Sequence, residues 1–468
     1  MPWREALSPV GMRRVALLAP TESLRDLLVT VADLGYVDLD DPGEGRGPTA
    51  GAPAAAALQR LGRGSPAAAR VARRPDLVAW EQEGRAELVA GEAQLEDRAA
   101  RAVTQGRVSA LLGWAAADTV PPLAQAAAAV DGAVVVLPAP RGVDPPTLLS
   151  RQGVSRELAP LVETYATVPY RDVNPSVLAG AAYVLMFGMM FADAGQGLLL
   201  LGGALAVRSG RWRRLARLRP YWLFLAGAGL SSAVFGALYG EFFGPTGVIP
   251  VLWLSPLEHA VTLLLVAVAI GALLLAGAYA LGTVNRFREG GWRRAVYAPS
   301  GLAGASLFLG LGALAGGIWL HLGVLVAAGG VVAVVGMVVA FTGLLAAAGG
   351  GAAGVGQAVI ELFDLVIRLG SNLVSFARLA AFGMTHAALG LVVWQGVTAL
   401  AHRGVPGVAG AVVVFVVGNT LTLALEGLVA GIQALRLEYY ELFSRIFEGE
   451  GRPFRPWHVP LAPTEASC

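Results

Sequence analysis

Lysine is absent from the 468-residue sequence, so all 35 basic residues are arginine. A nucleotide-binding P-loop needs its lysine to reach the phosphates, so no standard Walker A site is present and ATP hydrolysis by that route is excluded. Cysteine occurs once, as Cys468, which excludes an internal disulfide and a multi-cysteine zinc site. Charge is scarce as well. Charged residues make up 15% of the chain, against about a quarter in soluble domains, and that deficit points to a membrane protein. The net charge of +2 decides little. The arginine-only basicity, with the excess of alanine and glycine, reads as the composition of a high-GC bacterial genome.

The charge that is present is unevenly spread. Residues 1–175 hold acids and arginines in quantity, whereas long runs after 176 hold almost none. "MRRVALLAP" has two arginines but too short an apolar run for a signal peptide, so the N-terminus is expected in the cytoplasm. Residues 12–40 predict a strand at 13–18, a helix at 21–34 capped by Thr21 and stopped by Gly35, and a strand at 36–39. The Gly/Pro/Ala-rich stretch 42–65 reads as loop or linker. Residues 68–103 read as a solvated helix, half of a helical pair. "RVSALLGW" and "GAVVVLP" read as two further strands around a helix at 121–130.

A membrane helix needs about 20 apolar residues. Eight spans are predicted, at 176–192, 195–208, 221–242, 258–284, 300–320, 322–348, 357–396 and 405–446. The first two are short and separated by Asp193, as in a re-entrant or closely paired hairpin. The last two are long enough to require steep tilt or extension beyond the bilayer. Eight spans put both strongly basic loops, "RSGRWRRLARLR" (208–219) and "RFREGGWRR" (286–294), on the cytoplasmic side. The tail with Arg445, Arg452 and Arg455 joins them there, as the positive-inside rule requires. The loop 242–257, with no basic residue, falls outside. The expected fold class is therefore mostly α. A cytoplasmic α/β domain with a short helical arm (1–170) precedes an eight-span transmembrane domain (171–448) with two long tilted C-terminal helices and a cytoplasmic tail (449–468).

Two of these spans carry ionisable stripes. On the seventh, Arg368, Ser371, Ser375, Arg378 and His386 all fall within about 40° of Asp364, with Glu361 about one turn before it. On the eighth, Asn419, Thr422, Glu426 and Gln433 fall within roughly 60°, with Arg436 at the edge. One arginine at a helix centre costs roughly 2.5–3.5 kcal/mol on insertion scales, and it keeps its charge where a buried lysine would lose it. The pattern is that of a polar path through the bilayer. Plainer readings stand beside it. Arg368 fits a residue snorkelling to the surface, and His386 a hydrogen-bonded packing residue. Ser371, Ser375 and Thr422 fit ordinary interhelical hydrogen-bond formers, and Arg378 with Arg436 fits mutual bracing with Glu426.

At these residues the sequence resembles the membrane-embedded stator subunit of V-type and A-type rotary ATPases (subunit a or subunit I, the 116 kDa subunit family). "SNLVSFARLAAFGMTHA" is similar to the family's S-N-x-x-S-Y-x-R-L-x-A-L-x-L-A-H. "LEGLVAGIQALRLEYYELFSRIFEGEGRPFRPW" is similar to its eighth helix and tail, with Glu426 and Arg436 ten residues apart. "FGMMFADAGQGLLL" resembles F-G-x-M-F-G-D-x-G-H-G, and "VPYRDVNPS" resembles the P-x-Y-x-E-x-D-P-T junction before it. The N-terminal lobe, with its "GW", resembles the family's cytoplasmic part, so the likeness extends over nearly the whole chain. Departures are Ala192 and Gln196 beside Asp193, Phe376 for the usual tyrosine, and Glu438 where histidine is common. The N-terminal domain is also short, with at most a stub of the usual coiled-coil arms.

The resemblance implies a non-catalytic subunit of an ATP-driven ion translocase in a bacterial cell membrane, with both termini cytoplasmic. Two offset half-channels meet a rotating ring of proteolipid c subunits, each carrying a carboxylate. It implies that Arg378 with Arg436 separates the half-channels. Glu361, His386 and Glu426 would line or organise the outer one, with Asp193 near the first hairpin. Ser375 and Gln433 join this set from the stripes; Asp364, Ser371 and Glu241 in "YGEFFG" are weaker candidates. The implied partners are the c-ring, the peripheral stalks, the central-rotor and nucleotide-binding subunits, and the bilayer; no cofactor, metal or nucleic acid is implied. The carried ion (H⁺ or Na⁺) and the direction (ATP synthesis or hydrolysis) stay open. Competing readings are a self-contained ion-coupled transporter, for which no internal repeat is seen, and a degenerate homologue that only anchors a complex.

Overall fold

The computed structural model describes residues 9–40, 52–62, 66–71, 75–140, 142–149, 157–158, 162, 167–210 and 218–462. The basic segment 211–217, most of the first basic loop, lies outside the described residues. The chain divides into two compact units. One spans Leu149–Glu450, and the other joins Pro9–Leu148 to the C-terminal segment from Gly451.

The second unit is built on an antiparallel sheet of β1 (Met12–Pro20), β2 (Val37–Leu39), β3 (Val103–Gln105), β4 (Val108–Ala116) and β5 (Ala133–Leu137). The order is β2-β4-β1-β5, with β3 paired to β4. Alternation puts Val15, Leu17 and Ala19 of β1 with Leu111 and Ala115 of β4 on one face. Helices α1 (Leu24–Leu34), α4 (Ala86–Ala100) and α5 (Val120–Ala128) add Leu27, Leu28, Val31, Leu95 and Leu123 to that core. Gly35 ends α1 at φ 59°, a left-handed conformation that glycine adopts without strain. The expected cap does not form: Ser23, not Thr21, precedes α1, and no side chain caps it. Thr21 N instead donates to Arg107 O, and the Thr21 hydroxyl lies 3.2 Å from the Ser109 hydroxyl.

Two sequence expectations are corrected here. The stretch expected as loop contains a helix, α2 (Pro53–Leu61), which begins on a proline whose missing N–H costs nothing at that position. The helix expected over 68–103 is two shorter ones, α3 (Leu77–Gln82) and α4, because Gly84 interrupts with a positive φ. The C-terminal segment completes this unit. Trp457 N donates to Val37 O, Phe454 N to Thr147 O and Ala462 N to Arg70 O, while the Arg70 guanidinium bonds Val459 O.

The other unit is helical: α6 (Ser176–Met190), α7 (Ala194–Ser209), α8 (Trp222–Tyr239), α9 (Ala260–Tyr297), α10 (Leu302–Trp319), α11 (Gly323–Ala347), α12 (Gly351–Ser375), α13 (Ala377–Ala401) and α14 (Gly404–Leu437). A π-helical turn, Glu438–Phe443, and a short α15 (Ser444–Ile446) follow. Among the described residues, six helical stretches are long and apolar enough to cross a membrane: Leu218–Tyr239, Ala260–Tyr297, Leu302–Trp319, Gly323–Ala347, Gly351–Ala401 and Gly404–Ile446. The first two expected spans, α6 with 15 residues and α7 with 16, fall short of that length.

Small residues let these helices touch backbone to backbone, the usual packing where lipid supplies no hydrophobic drive. A methyl on Gly236 of α8 would lie 2.1 Å from Ala194 N of α7. α9 is kinked at Gly290 and Gly291, whose backbone angles are non-helical. The seventh span, expected as one helix, is broken at Phe376. Phe376 N reaches back to Leu373 O and Leu379 N to Phe376 O, so the backbone tightens by one residue per bond there.

Candidate functional site

α13 and α14 are joined by a two-residue turn at His402 and Arg403 and run antiparallel beside each other. Their facing sides hold two polar groupings.

The first lies toward the turn. His386 is buried on α13, and its Nδ1 sits 2.5 Å from Oε2 of Glu426 on α14. The Phe191 ring packs 4.7 Å from the imidazole. Such a bond between two stripes is what the helical period of each span allows, and it brings together two of the sequence candidates. Glu241, buried, approaches the same region: its Oε2 would lie 3.8 Å from a methyl on Gly390, one turn beyond His386.

Asp193 closes the grouping from the hairpin side. It caps α7 by accepting from Gln196 N at 2.8 Å, and it also accepts from Phe243 N at 3.0 Å and Gly244 N at 2.9 Å. Three N–H donors on one buried carboxylate fix the loop after α8 to the start of α7; a cap of this kind contributes about 1 kcal/mol. Gln196 donates from Nε2 to Asn419 Oδ1 at 3.0 Å, tying the hairpin to α14. Thr422 bonds Gly418 O within its own helix.

The second grouping surrounds Arg378, at the start of α13. Its Nη1 lies 3.7 Å from Glu441 Oε1, and its Nη2 lies 3.4 Å from Ser375 Oγ. Ser375 also donates to Ser371 O. Arg436 is exposed, whereas Arg378 is only partly exposed and its Nη1 is buried. Glu438 is fully buried with both oxygens unpaired, and Gln433 Oε1 and Glu426 Oε1 are likewise unpaired.

Glu441 was not among the sequence candidates, and Glu438 entered only as a departure from the family pattern. At 100° per residue Glu441 would lie about 140° around an α-helix from Arg436, off the stripe. The π-helical turn changes that azimuth, and π turns concentrate at functional sites. The paired acids in "LEYYE" were the available signal.

The remaining candidates stay within α12. Asp364 pairs with Arg368 at 2.7 Å, both more than half exposed, and Glu361 accepts from Gln357 at 2.8 Å. No described contact joins them to Arg378. Among the described residues, no cluster of three or more His, Cys, Asp or Glu is arranged to hold a metal ion.

The model of the V-type ATPase 116kDa subunit family matches residues 119–245 and 355–459, segments that contain both groupings. A-type ATP synthase subunit I of Aeropyrum pernix is 28% identical over 367 residues, 69% of this chain and 52% of the relative. The subunit I of Pyrococcus horikoshii is 26% identical over 308 residues, 64% and 45% respectively. That of Halobacterium salinarum is 28% identical over 388 residues, 67% and 51%. The chain thus spans about half the length of the curated relatives it matches. These relatives are archaeal, so they lend no support to the bacterial origin read from composition. With the two polar groupings inside the matched segments, the chain belongs to the V-type ATPase 116 kDa subunit family.

Proposed function

We propose that this protein is the membrane stator subunit of a V/A-type rotary ATPase or ATP synthase, conducting ions between a bilayer and a rotating ring of carboxylate-bearing subunits. One observation carries the reading. Arg378, partly exposed, lies between two acidic groupings, His386–Glu426 on one side and Glu441 on the other. His386 lies eight residues beyond Arg378, about 12 Å along α13, and Glu441, in the π-helical turn that follows α14, lies fifteen residues beyond Glu426, roughly 20 Å further on. The acids therefore sit at different depths with the cations in the interval.

In this mechanism His386 and Glu426, with Gln433, line the outer half-channel, and Glu361, on the other side of Arg378 along the chain, lies toward the opposite one. Glu441 and Glu438 line the other. Asp193, Gln196 and Glu241 hold the hairpin against α13 and α14. Arg378 and Arg436 present fixed charge to a carboxylate arriving on the ring, favour its ionised form and so release its ion. The same charge bars an ion from passing directly between half-channels. α6 and α7 pair closely and complete eight spans, with the ends of the chain and the arginine-rich loops on the cytoplasmic side. The sheet unit meets the peripheral stalks, and ATP is hydrolysed or made on other subunits.

The test is to purify the protein from its native membrane, ask whether a proteolipid ring and nucleotide-binding subunits accompany it, and measure ATP-driven ion uptake with Arg378→Ala. Uptake that survives the substitution, or a complex without a ring, would reject the reading.

A further inference from the structure

Away from α13 and α14, three chain segments converge on one arginine. Arg286 of α9 has no exposed surface, and its guanidinium lies 2.8 Å from Glu289, 2.5 Å from Glu448 and 3.9 Å from Asp172. Asp172 belongs to the segment leading into α6, and Glu448 to the segment leaving α15. Arg294 adds a half-exposed second cation, 3.3 Å from Glu289 and 3.6 Å from Glu448. Ser300 donates its hydroxyl to Glu448. Asn285 ties the same segments: it accepts from Val173 N at 2.9 Å and donates to Ile446 O at 3.1 Å. Arg286 is the twenty-seventh residue of a helix that begins at Ala260, about 40 Å along its axis, so the cage lies beyond a hydrocarbon core of about 30 Å.

The cage holds more acid than its buried cation can neutralise. Three carboxyl groups face one fully buried guanidinium, and Arg294 reaches only Glu289 and Glu448. Asp172 is fully buried, and neither of its oxygens has a hydrogen-bond donor. A buried carboxylate without a donor is costly, and two facing carboxylates cannot both stay ionised cheaply. A proton on one of them removes both penalties, since a carboxylic acid donates where a carboxylate can only accept.

We propose that Asp172 and Glu289 hold one proton between them, and that this proton locks the segment entering α6 and the segment leaving α15 onto Arg286. Burial, then the charge of Glu289, push the Asp172 carboxyl up to about 7, against the opposing pull of Arg286 and Arg288. The groups facing the pair are Arg286, Arg288 and Arg294 from α9 and Glu448 from the terminal segment. Arg445 is turned away, over the Tyr279 ring. Because the folded form keeps a proton that the unfolded chain releases near its ordinary value of 3.8, the stabilisation is complete below about pH 4. It is lost progressively as pH rises from there to about 7. This proton site is read from the chain alone and stands whether or not the rotary reading does.

The experiment is thermal unfolding of the purified full chain in detergent from about pH 4 to about pH 8, a window that brackets the shift. The native midpoint should fall as pH rises from about 4 to about 7 and level off above, and Asp172→Asn, which keeps the shape and removes the titrating group, should flatten the profile. A native profile without this fall, or an Asp172→Asn profile with the native slope, would overturn the proposal. If Asp172→Asn does not fold, the infrared absorption of protonated carboxyl groups offers an independent reading. The native chain should lose part of that signal near neutrality, and Glu289→Gln should not. Equal loss in both chains would also overturn it.

Discussion

Glu441 Oε1 stands 3.7 Å from Arg378 Nη1, longer than a hydrogen bond, and Nη1 has no other acceptor. Nη1 is buried, so the internal carboxylate holds the arginine at ion-pair range without a hydrogen bond, while the rest of the side chain is partly exposed. Arg378→Lys keeps the charge but loses the planar fork of donors. Under the proposed stator function, ATP-driven ion uptake by the complex should fall at least about tenfold in Arg378→Lys. Glu441→Gln should lower uptake while leaving ring assembly intact. Native uptake rates in Glu441→Gln would remove Glu441 from the path.

The His386–Glu426 bond links two helices across 40 positions of sequence. Replacing either partner strands the other in a buried place. The single substitutions His386→Gln and Glu426→Gln should therefore each cost nearly as much as the pair together. A coupling of about 0.5–3 kcal/mol in a double-mutant cycle on thermal stability is the expected result. Simple additivity would show that the two act separately.

Gly236 leaves no room for a side chain, with Ala194 N 2.1 Å from where a methyl would sit. The obstruction is backbone at the start of α7, where Asp193 makes its cap, so neither side yields cheaply. Gly236→Ala should destabilise the membrane unit by about 1–3 kcal/mol, seen as a lower midpoint in detergent. Gly202, with open space around it, is the control: Gly202→Ala should leave the midpoint unchanged.

Trp457 packs on the sheet unit and bonds Val37 O through its backbone, far in sequence from the strands it completes. Its side chain is partly buried, so Trp457→Ala should cost about 2 kcal/mol, below the range for a fully buried tryptophan. Limited proteolysis would read the effect as faster cleavage within the α/β unit. An unchanged cleavage rate would mean the terminal segment contributes nothing to that unit's stability.

Much of the fold was legible because hydrophobic runs and their periods are local. The apolar stretches from 221 onward, the strand at β1 and the glycine stop at Gly35 all follow from neighbouring residues. The misreadings were local as well. The helix α2 was hidden by alanine and proline in a stretch with loop-like composition, and α3 and α4 were run together because charge pattern outweighed one glycine. Arg378, His386, Glu426 and Arg436 were visible as costly residues in apolar surroundings. Glu441 was not, because its azimuth depends on a π turn that has no periodic signature.

The sequence by itself determined where charge is expensive, since the price of an arginine or glutamate among apolar residues depends only on its neighbours along the helix. Which partner meets each charge was decided by the tertiary structure alone. Asp193 is satisfied by backbone groups 50 residues away, and Arg286 gathers acids from both Asp172 and Glu448. The physical reason is that a helical period fixes the face a residue occupies, whereas the neighbour across that face is chosen by packing between distant helices.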